Sequence, residues 1–341
     1  MKSIRIHQHG NVDVLSIDEH EVPPYKDDEL LINIKACSIN HLDVWIRMGL
    51  PGLPINFPLI LGSDGSGVII EKGKNVNQYS AGDEIVIQPG IFNKNCPTVI
   101  GGKENYSPSY GILGEHVNGV QSEYVVLKAE NIHLKPKHLT FEEASSMQLV
   151  FMTSYQMIVK RANLQKNESI LIYGGTSGVG SAAIQIAKDI GANIIATVGN
   201  KSKIDYAFKM GANHVFLHNE NLIKNIKEIT SNKGIDVVFE HVGAKTWNSS
   251  LRLLARGGRL VTCGSTTGSK VSLDLRHLFM KQQTILGSTM SDIDSFKSVM
   301  KNIHERKYFP FIDKIFSFKD VKKAHGRMES RKNFGKIILV P

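Results

Sequence analysis

Apolar residues follow two different periods in the two halves of the chain. Residues 1–130 contain short runs in which apolar and polar residues alternate, separated by turn-forming residues. Alternation with period two is typical of strands that bury one face. It predicts a compact, barrel-like β domain. The predicted strands are Ile4–His7, Leu30–Ala36, Ser66–Glu71, Glu84–Ile87 and Glu123–Lys128, with one helix at His41–Met48.

From Ser169 onward, apolar runs alternate with segments of helical period, which is typical of a doubly wound parallel sheet. The runs predict strands at Ile170–Tyr173, Ile194–Val198, Val215–His218, Asp236–His241, Arg259–Cys263 and Thr284–Gly287. Six strands complete a dinucleotide-binding sheet, so we expect the last strand, Gly335–Val340, to return to the first domain. The predicted domains are 1–130 and 131–290, with 291–341 as the returning tail.

Three further segments lie outside these strands. Residues 91–119 carry no clear period and are predicted to form a long excursion from the β domain. Thr140 and Glu143 have the spacing of a capping box, so a helix is expected to begin there. A second helical stretch is predicted over 153–161.

The glycine-dense turn Gly174–Gly180 lies between a predicted strand and a predicted helix. Such a corner needs positive φ and close contact between helix and sheet, which glycine allows. The N–H groups at the helix N-terminus then form a site for a pyrophosphate. We therefore interpret the turn as a dinucleotide site, the alternative being a purely structural turn.

The end of the next predicted strand indicates which dinucleotide binds. NAD-binding units usually carry an acid there, which accepts hydrogen bonds from the ribose hydroxyl groups. Here Gly199 and Lys203 occupy this region, and the first acid is Asp205. Lysine attracts a 2′-phosphate, whereas a carboxylate repels one. The sequence favours NADPH, unless the lysines only solvate a loop.

Composition and charge exclude several classes of protein. The 341 residues are 41% apolar and 21% charged, which is ordinary for a globular protein. No apolar run is long enough for a membrane span. Cys37, Cys96 and Cys263 are too far apart in sequence for a disulfide framework, which fits a reducing cytoplasm. The net charge of +9 is spread along the chain, so nucleic-acid binding as the main role is not favoured.

Several motifs carry a resemblance to a known family. They are Asn40–Arg47, Leu61–Gly67, Ala81–Asp83, Gly114–His116 and the glycine turn. The chain resembles the medium-chain dehydrogenase/reductase superfamily, especially its quinone oxidoreductase branch and the neighbouring zinc-type alcohol dehydrogenase-like proteins. This resemblance implies an α/β fold with a six-stranded Rossmann sheet. It also implies an N-terminal GroES-like β barrel, completed by the tail, and a homodimer.

The chain departs from this family at the positions that bind zinc. Where zinc alcohol dehydrogenases carry catalytic ligands, it has Asn40, Ser63 and an apolar residue near Val150 or Phe151. At the four positions of the structural zinc lobe it has Asn93, Cys96, Val99 and Ser107. We therefore expect neither metal. His41 as a surrogate ligand remains an alternative, and His116 is interpreted as structural.

The resemblance also implies roles for individual residues. Asn40, Asp43 and Trp45 are the predicted catalytic residues: Asn40 as a donor to the substrate oxygen, Trp45 in the substrate cleft, and Asp43 beside the nicotinamide or as a helix cap. The implied cofactor contacts are Asn40, Thr153, Gly175, Ser177, Gly178, Val179, Gly180, Gly199, Lys203, His218, Val242, Gly243, Cys263, Gly264, Ser265, Arg331, Phe334 and Lys336.

Loss of the metal narrows the feasible substrates. Quinones and α,β-unsaturated carbonyl compounds accept hydride to give delocalised anions, so they need less stabilisation than simple ketones. The predicted function is zinc-independent hydride transfer from NADPH to such an acceptor. One alternative is an alcohol dehydrogenase with a degenerate or rebuilt zinc site. Another is a non-catalytic NADPH-binding protein that contacts RNA.

Overall fold

The structure is a computed structural model that describes all 341 residues. The chain forms two compact units: Met1–Leu149 with Phe309–Pro341, and Val150–Tyr308. Both boundaries fall later than the predicted 130/131 and 290/291. The first boundary lies later because residues that follow 130 bond to the first unit: Ile132–Leu134 pairs with Glu84–Ile87.

The N-terminal part of the first unit is rich in strands, as the alternating pattern predicts. Its strands are β1 (Lys2–Ile6), β2 (Leu15–Glu19), β3 (Glu29–Ile39), β4 (Leu59–Ile60), β5 (Asp64–Lys72), β6 (Glu84–Ile87), β7 (Gly90–Ile91), β8 (Gly111–Ile112), β9 (Tyr124–Lys128) and β10 (Ile132–Leu134). Its helices are α1 (His41–Met48), α2 (Pro97–Ile100) and α3 (Phe141–Ala144).

Strand β3 is the centre of the first unit. Leu30, Ile32 and Ile34 alternate along it and are buried in the core, which explains why this segment is extended. On one side β3 pairs with β5 over most of its length, and on the other it pairs with β9 through Glu29–Asn33. The second half of that side is left for another strand.

The second unit alternates strands and helices. Its strands are β11 (Ser169–Ile172), β12 (Asn193–Val198), β13 (His214–Leu217), β14 (Ile235–Glu240), β15 (Leu254–Thr262) and β16 (Thr284–Gly287). The helices of this part of the chain are α4 (Gln148–Tyr155), α5 (Gly178–Ile190), α6 (Ile204–Met210), α7 (Leu222–Ile229), α8 (Ala244–Leu253), α9 (Leu275–Met280) and α10 (Ile293–His304). The helix predicted over 153–161 is instead the end of α4 and a π-helical turn, Gln156–Arg161.

The six strands of the second unit form one parallel sheet in the order β13-β12-β11-β14-β15-β16. This confirms the predicted doubly wound sheet. The order reverses between β11 and β14, and ligands bind at such a point beyond the carboxyl ends of the strands. Because the sheet is buried on both faces, its strands are nearly continuous apolar runs, which made them visible in the sequence.

The tail returns to the first unit as β17 (Ile312–Ser317), α11 (Val321–Glu329) and β18 (Lys336–Val340). Strand β18 pairs with the free half of β3, with Leu339 opposite Cys37, and on its other side with β17. The expectation that the tail completes the β domain is confirmed. Of the two strands in this segment, the sequence predicted only the last. Strand β17 was missed because Asp313 and Lys314 interrupt its apolar pattern. None of the helices combines the length and apolarity that a membrane crossing requires.

Candidate active site

The N-terminus of α1 contains two predicted site residues. Asn40 precedes the helix in an extended conformation, and Asp43 lies in the first turn. The Oδ2 atom of Asp43 accepts the N–H of Asn40 at 2.7 Å, and its Oδ1 atom accepts the N–H of Gly62 at 2.9 Å. This is the geometry of a helix cap, one of the two roles predicted for Asp43. Burial raises the pKa of Asp43 to about 6, although both hydrogen bonds and the charge of Lys336 lower it.

Asp64, at the start of β5, is the centre of a buried polar cluster. Its Oδ2 atom accepts hydrogen bonds from Ser38 Oγ at 3.1 Å, Asn40 Nδ2 at 3.0 Å and Lys336 Nζ at 2.9 Å. Its Oδ1 atom accepts the N–H of Leu149 at 2.8 Å. The carboxylate is fully buried, and these four donors replace the water that it loses.

Lys336 was expected among the cofactor contacts, but its ammonium group lies in this cluster. It is buried, and besides Asp64 it donates to the Oδ1 atom of Asn40. The nitrogen and the oxygen of the Asn40 amide are therefore both fixed by hydrogen bonds, to Asp64 and from Lys336. We refer to Asn40, Asp64 and Lys336 as the Asn–Asp–Lys cluster. Asp64 lies within one of the family motifs, Leu61–Gly67, but was not predicted to be a site residue.

The residues of this site do not fit a catalytic zinc ion. Such an ion needs three protein ligands, usually Cys, His or carboxylate groups. Ser63 donates its hydroxyl to a backbone carbonyl group at 2.8 Å, and Asp64 is already paired with the cation of Lys336. At the third position, Val150 and Phe151 are buried and apolar. No three His, Cys, Asp or Glu side chains converge on a possible metal position.

Trp45 lies one turn further along α1 and is half-buried. Its ring packs against that of His41, with 5.9 Å between the centroids and 54° between the planes. His41 thus contacts an aromatic ring on its own helix. It does not belong to any group of three His, Cys, Asp or Glu side chains that could hold a zinc ion.

In the second unit, the glycine-dense turn joins β11 to α5. Gly174 has a φ of 58°, and a Cβ atom at Gly180 would lie 2.2 Å from the carbonyl oxygen of Gly174. Ser177 begins the helix, because its hydroxyl accepts the N–H of Gly180 at 3.0 Å. The helix N-terminus and its N–H groups fit the pyrophosphate of a dinucleotide. The same turn contains the other predicted contacts, Gly175, Gly178 and Val179.

The other predicted contacts in this unit, except Thr153, follow the carboxyl ends of strands. They are Gly199 and Lys203 after β12, His218 after β13, Val242 and Gly243 after β14, and Cys263, Gly264 and Ser265 after β15. The parallel arrangement thus brings residues from four strands to one edge of the sheet. Thr153 lies on α4, where its hydroxyl contacts the sulfur of Met290 at 3.9 Å.

Glu240 and His241, at the end of β14, were not identified from the sequence. The buried carboxylate of Glu240 accepts the N–H groups of Val242 at 2.6 Å and Gly243 at 2.9 Å, so these two groups are engaged within the protein. The Nε2 atom of His241 is 2.8 Å from the carbonyl oxygen of Tyr173, and burial lowers the pKa of His241. An acid followed by a histidine at the end of an apolar strand was the signal available.

Two further predicted cofactor contacts lie in the tail, and therefore in the first unit. Arg331 follows α11 with a φ of 55°. The N–H of Phe334 donates to Asp313 at 3.2 Å. With Lys336, these residues belong to a different unit from the glycine-dense turn.

Residues 91–119 contain the positions of the family's structural zinc lobe. Ser107 donates its hydroxyl to Cys96 at 3.2 Å, and the hydroxyl of Thr98 lies 2.9 Å from the same sulfur atom. These hydrogen bonds lower the pKa of Cys96 to about 7. One thiol, together with Asn93 and Val99, does not fit a tetrahedral zinc site. Hydrogen bonds between Cys96, Thr98 and Ser107 connect this segment instead.

Comparisons with known proteins assign the family. A family model described as the alcohol dehydrogenase GroES-like domain matches residues 26–137, and one described as zinc-binding dehydrogenase matches residues 178–305. The crotonyl-CoA carboxylase/reductase of Cereibacter sphaeroides is 30% identical, over 96% of this chain and 83% of the relative. The chain belongs to the medium-chain dehydrogenase/reductase superfamily.

Other members of the superfamily support the same assignment. Quinone oxidoreductase 1 of Escherichia coli is 28% identical over 99% of both chains. A crystal structure of an NAD-dependent alcohol dehydrogenase is 36% identical, covers 100% of both chains and superposes with a TM-score of 0.96. The chain is therefore an oxidoreductase, and its relatives support a nicotinamide cofactor.

The geometry of the lobe predicts that Cys96 is the most reactive of the three cysteines. The thiolate is the nucleophile, so alkylation by iodoacetamide should rise with pH around a midpoint near 7. Burial raises the pKa of Cys263 to about 12 and that of Cys37 well above its usual value. Mass spectrometry of the alkylated peptides measures each rate. The variant Ser107→Ala removes a hydrogen-bond donor and should move the midpoint upward. Faster labelling of Cys37 or Cys263 would contradict this assignment.

Proposed function

We propose that this protein is a metal-independent, NADPH-dependent reductase of quinones or α,β-unsaturated carbonyl compounds. The observation that carries this proposal is the Asn–Asp–Lys cluster. Where a zinc enzyme needs Cys and His ligands, the chain has Asn40 and Ser63, and the carboxylate of the neighbouring Asp64 is neutralised by a buried ammonium group. A second cation would be repelled by that ammonium group and would find no free carboxylate oxygen.

The donor set supports acceptors that stabilise their own negative charge. Reduction of a simple ketone creates a localised alkoxide, which needs a Lewis acid or a strong positioned donor. Hydride addition to a quinone or an enone instead gives a phenolate or an enolate. A hydrogen bond from the Asn40 amide and the exclusion of water are sufficient to stabilise such an anion. Two relatives carry matching names, a quinone oxidoreductase and a crotonyl-CoA carboxylase/reductase.

The second unit supports NADPH as the hydride source. The reduced nicotinamide supplies the hydride when the cofactor is bound. The turn Gly174–Gly180 and the N-terminus of α5 would hold the pyrophosphate. No acid follows β12 until Asp205, and Lys203, in the turn after this strand, would attract a 2′-phosphate.

One observation favours a second candidate, an NAD-dependent alcohol dehydrogenase. The solved structure of that name is 36% identical to this chain, which is more than the two relatives named above, and it superposes over the whole chain. This candidate requires a metal or another strong acid to stabilise an alkoxide. The residues around Asp64 do not supply zinc ligands, so we place it second.

A panel of substrates tests the proposed function. We expect NADPH to reduce simple quinones and 2-alkenals, with a rate unchanged by EDTA, and to reduce propanal at least about 10²-fold more slowly because its alkoxide lacks stabilisation. The measurement is NADPH absorbance, with NADH run in parallel. Oxidation of ethanol with NAD that EDTA abolishes and zinc restores would replace this proposal with the second candidate.

Cofactor choice gives a second prediction. The change Lys203→Ala should weaken binding of NADPH by about tenfold, the effect of losing roughly 1.4 kcal/mol of charge interaction, and leave NADH unaffected. Dissociation constants from quenching of protein fluorescence measure both cofactors. Lys201, an exposed lysine of the same turn, provides the control Lys201→Ala. Equal losses for NADPH and NADH would show that Lys203 does not recognise the 2′-phosphate.

We also infer that two copies of the chain associate through the second unit. Strand β16 is the edge of the parallel sheet, and its free side can accept another strand. The preceding helix α9 exposes Leu275, Phe279 and Met280. An exposed apolar helix that precedes an edge strand in the chain favours an isologous interface, in which the sheet continues across a two-fold axis.

The change Phe279→Glu tests this interface. It places a charge within the exposed apolar group, so we expect the dimer to dissociate to a monomer in light scattering. Ile100, on α2 in the first unit, is also exposed and gives the control Ile100→Glu, which should leave the dimer intact. A wild-type protein that is already a monomer would refute the interface.

A further inference from the structure

The hydrogen bonds of the Asn–Asp–Lys cluster leave two donors unused. The ammonium group of Lys336 has three N–H bonds, and two of them donate hydrogen bonds, to Asn40 Oδ1 and Asp64 Oδ2. The amide nitrogen of Asn40 has two N–H bonds and spends one, on Asp64 Oδ2 at 3.0 Å. Both oxygens of Asp64 are engaged. One N–H of Asn40 and one N–H of Lys336 remain.

Opposite charges determine the orientation of the Asn40 amide. Its oxygen faces a cation and its nitrogen faces an anion. The flipped amide would place its NH2 group against the ammonium group and its oxygen against the carboxylate, so it is strongly disfavoured. A cation on the carbonyl oxygen also withdraws electron density from the nitrogen, which makes the remaining N–H a stronger donor.

Stability alone does not account for this buried pair. Lys336 and Asp64 are 4% and 0% exposed, and taking both charges out of water costs more than a well-packed apolar pair would. The pair orients a donor at the residue that the family resemblance placed beside the substrate oxygen. Orientation of a donor toward developing negative charge lowers the barrier of a reduction, which an apolar pair cannot do.

On the basis of the proposed function, we propose that Lys336 is a positioning residue rather than a cofactor contact. Its ammonium group fixes and polarises the Asn40 amide, and the remaining N–H of that amide donates to the oxygen that gains negative charge during reduction. Hydride adds to the conjugated carbon, and the electron pair of the carbonyl π system moves to this oxygen. A proton from water then completes the product.

The test compares three variants by steady-state kinetics, NADPH binding and melting temperature, with the acceptor that the wild-type protein reduces best. Lys336→Met removes the ammonium group and leaves Asp64 unpaired. The double variant Lys336→Met/Asp64→Asn removes both charges and should recover the melting temperature. Lys135→Met is the matched control, because Lys135 is a buried lysine of the same unit that pairs with Glu84 at 3.1 Å.

We expect kcat to fall about 10²-fold in Lys336→Met and in the double variant, the usual effect of losing one oriented donor. The dissociation constant of NADPH should stay unchanged in both. Lys135→Met should lower the melting temperature and leave kcat unchanged. Recovery of kcat with stability in the double variant would reduce Lys336 to a structural role and overturn the proposal.

Two other results separate the remaining alternatives. Weaker NADPH binding with kcat unchanged would make Lys336 the cofactor contact that the sequence suggested, and would also overturn the proposal. A wild-type protein that reduces no quinone or enone would refute the proposed function itself, and the assignment of Lys336 with it. Wild-type turnover with an unchanged kcat in Lys336→Met would refute only the assignment.

Discussion

The carboxylate of Asp64 is the interaction on which the first unit depends. It is buried, and it binds the end of β3 through Ser38 and Asn40, the tail through Lys336, and the backbone of Leu149. A buried carboxylate needs every one of its lone pairs satisfied, so these segments are constrained to meet at one point. Lys336 is the first residue of β18, so its ion pair with Asp64 lies at the end of the pairing between β18 and β3.

The elements that the sequence predicted best are those with a complete local signal. Helix α1 and strand β16 have the predicted bounds, His41–Met48 and Thr284–Gly287, because their apolar periods are clean and a glycine ends each. Strand β15 begins at Leu254, before the predicted Arg259. Its first residues include Gly257 and Gly258, which resemble a turn in the sequence.

The candidate site was predictable only where its residues are close in sequence. The turn Gly174–Gly180 is recognisable from the sequence, because the strand, the glycines and the helix follow each other directly. The contact between Asn40 and Lys336 joins residues 296 positions apart, and nothing in either segment indicates the other. The role of Glu240 was hidden for a related reason: its partners are two backbone N–H groups and the hydroxyl groups of Thr246 and Ser250, which no sequence pattern distinguishes.

The order in which the chain is synthesised determines when the Asn–Asp–Lys cluster can form. Residues 1–335 leave the ribosome before Lys336 does, so β3 and β5 can form while Asp64 still lacks its counter-ion. The first unit therefore passes through a stage in which its central carboxylate lacks this cation. Because the Asn40 amide takes its orientation from Lys336, the cluster is complete only once β18 has paired with β3.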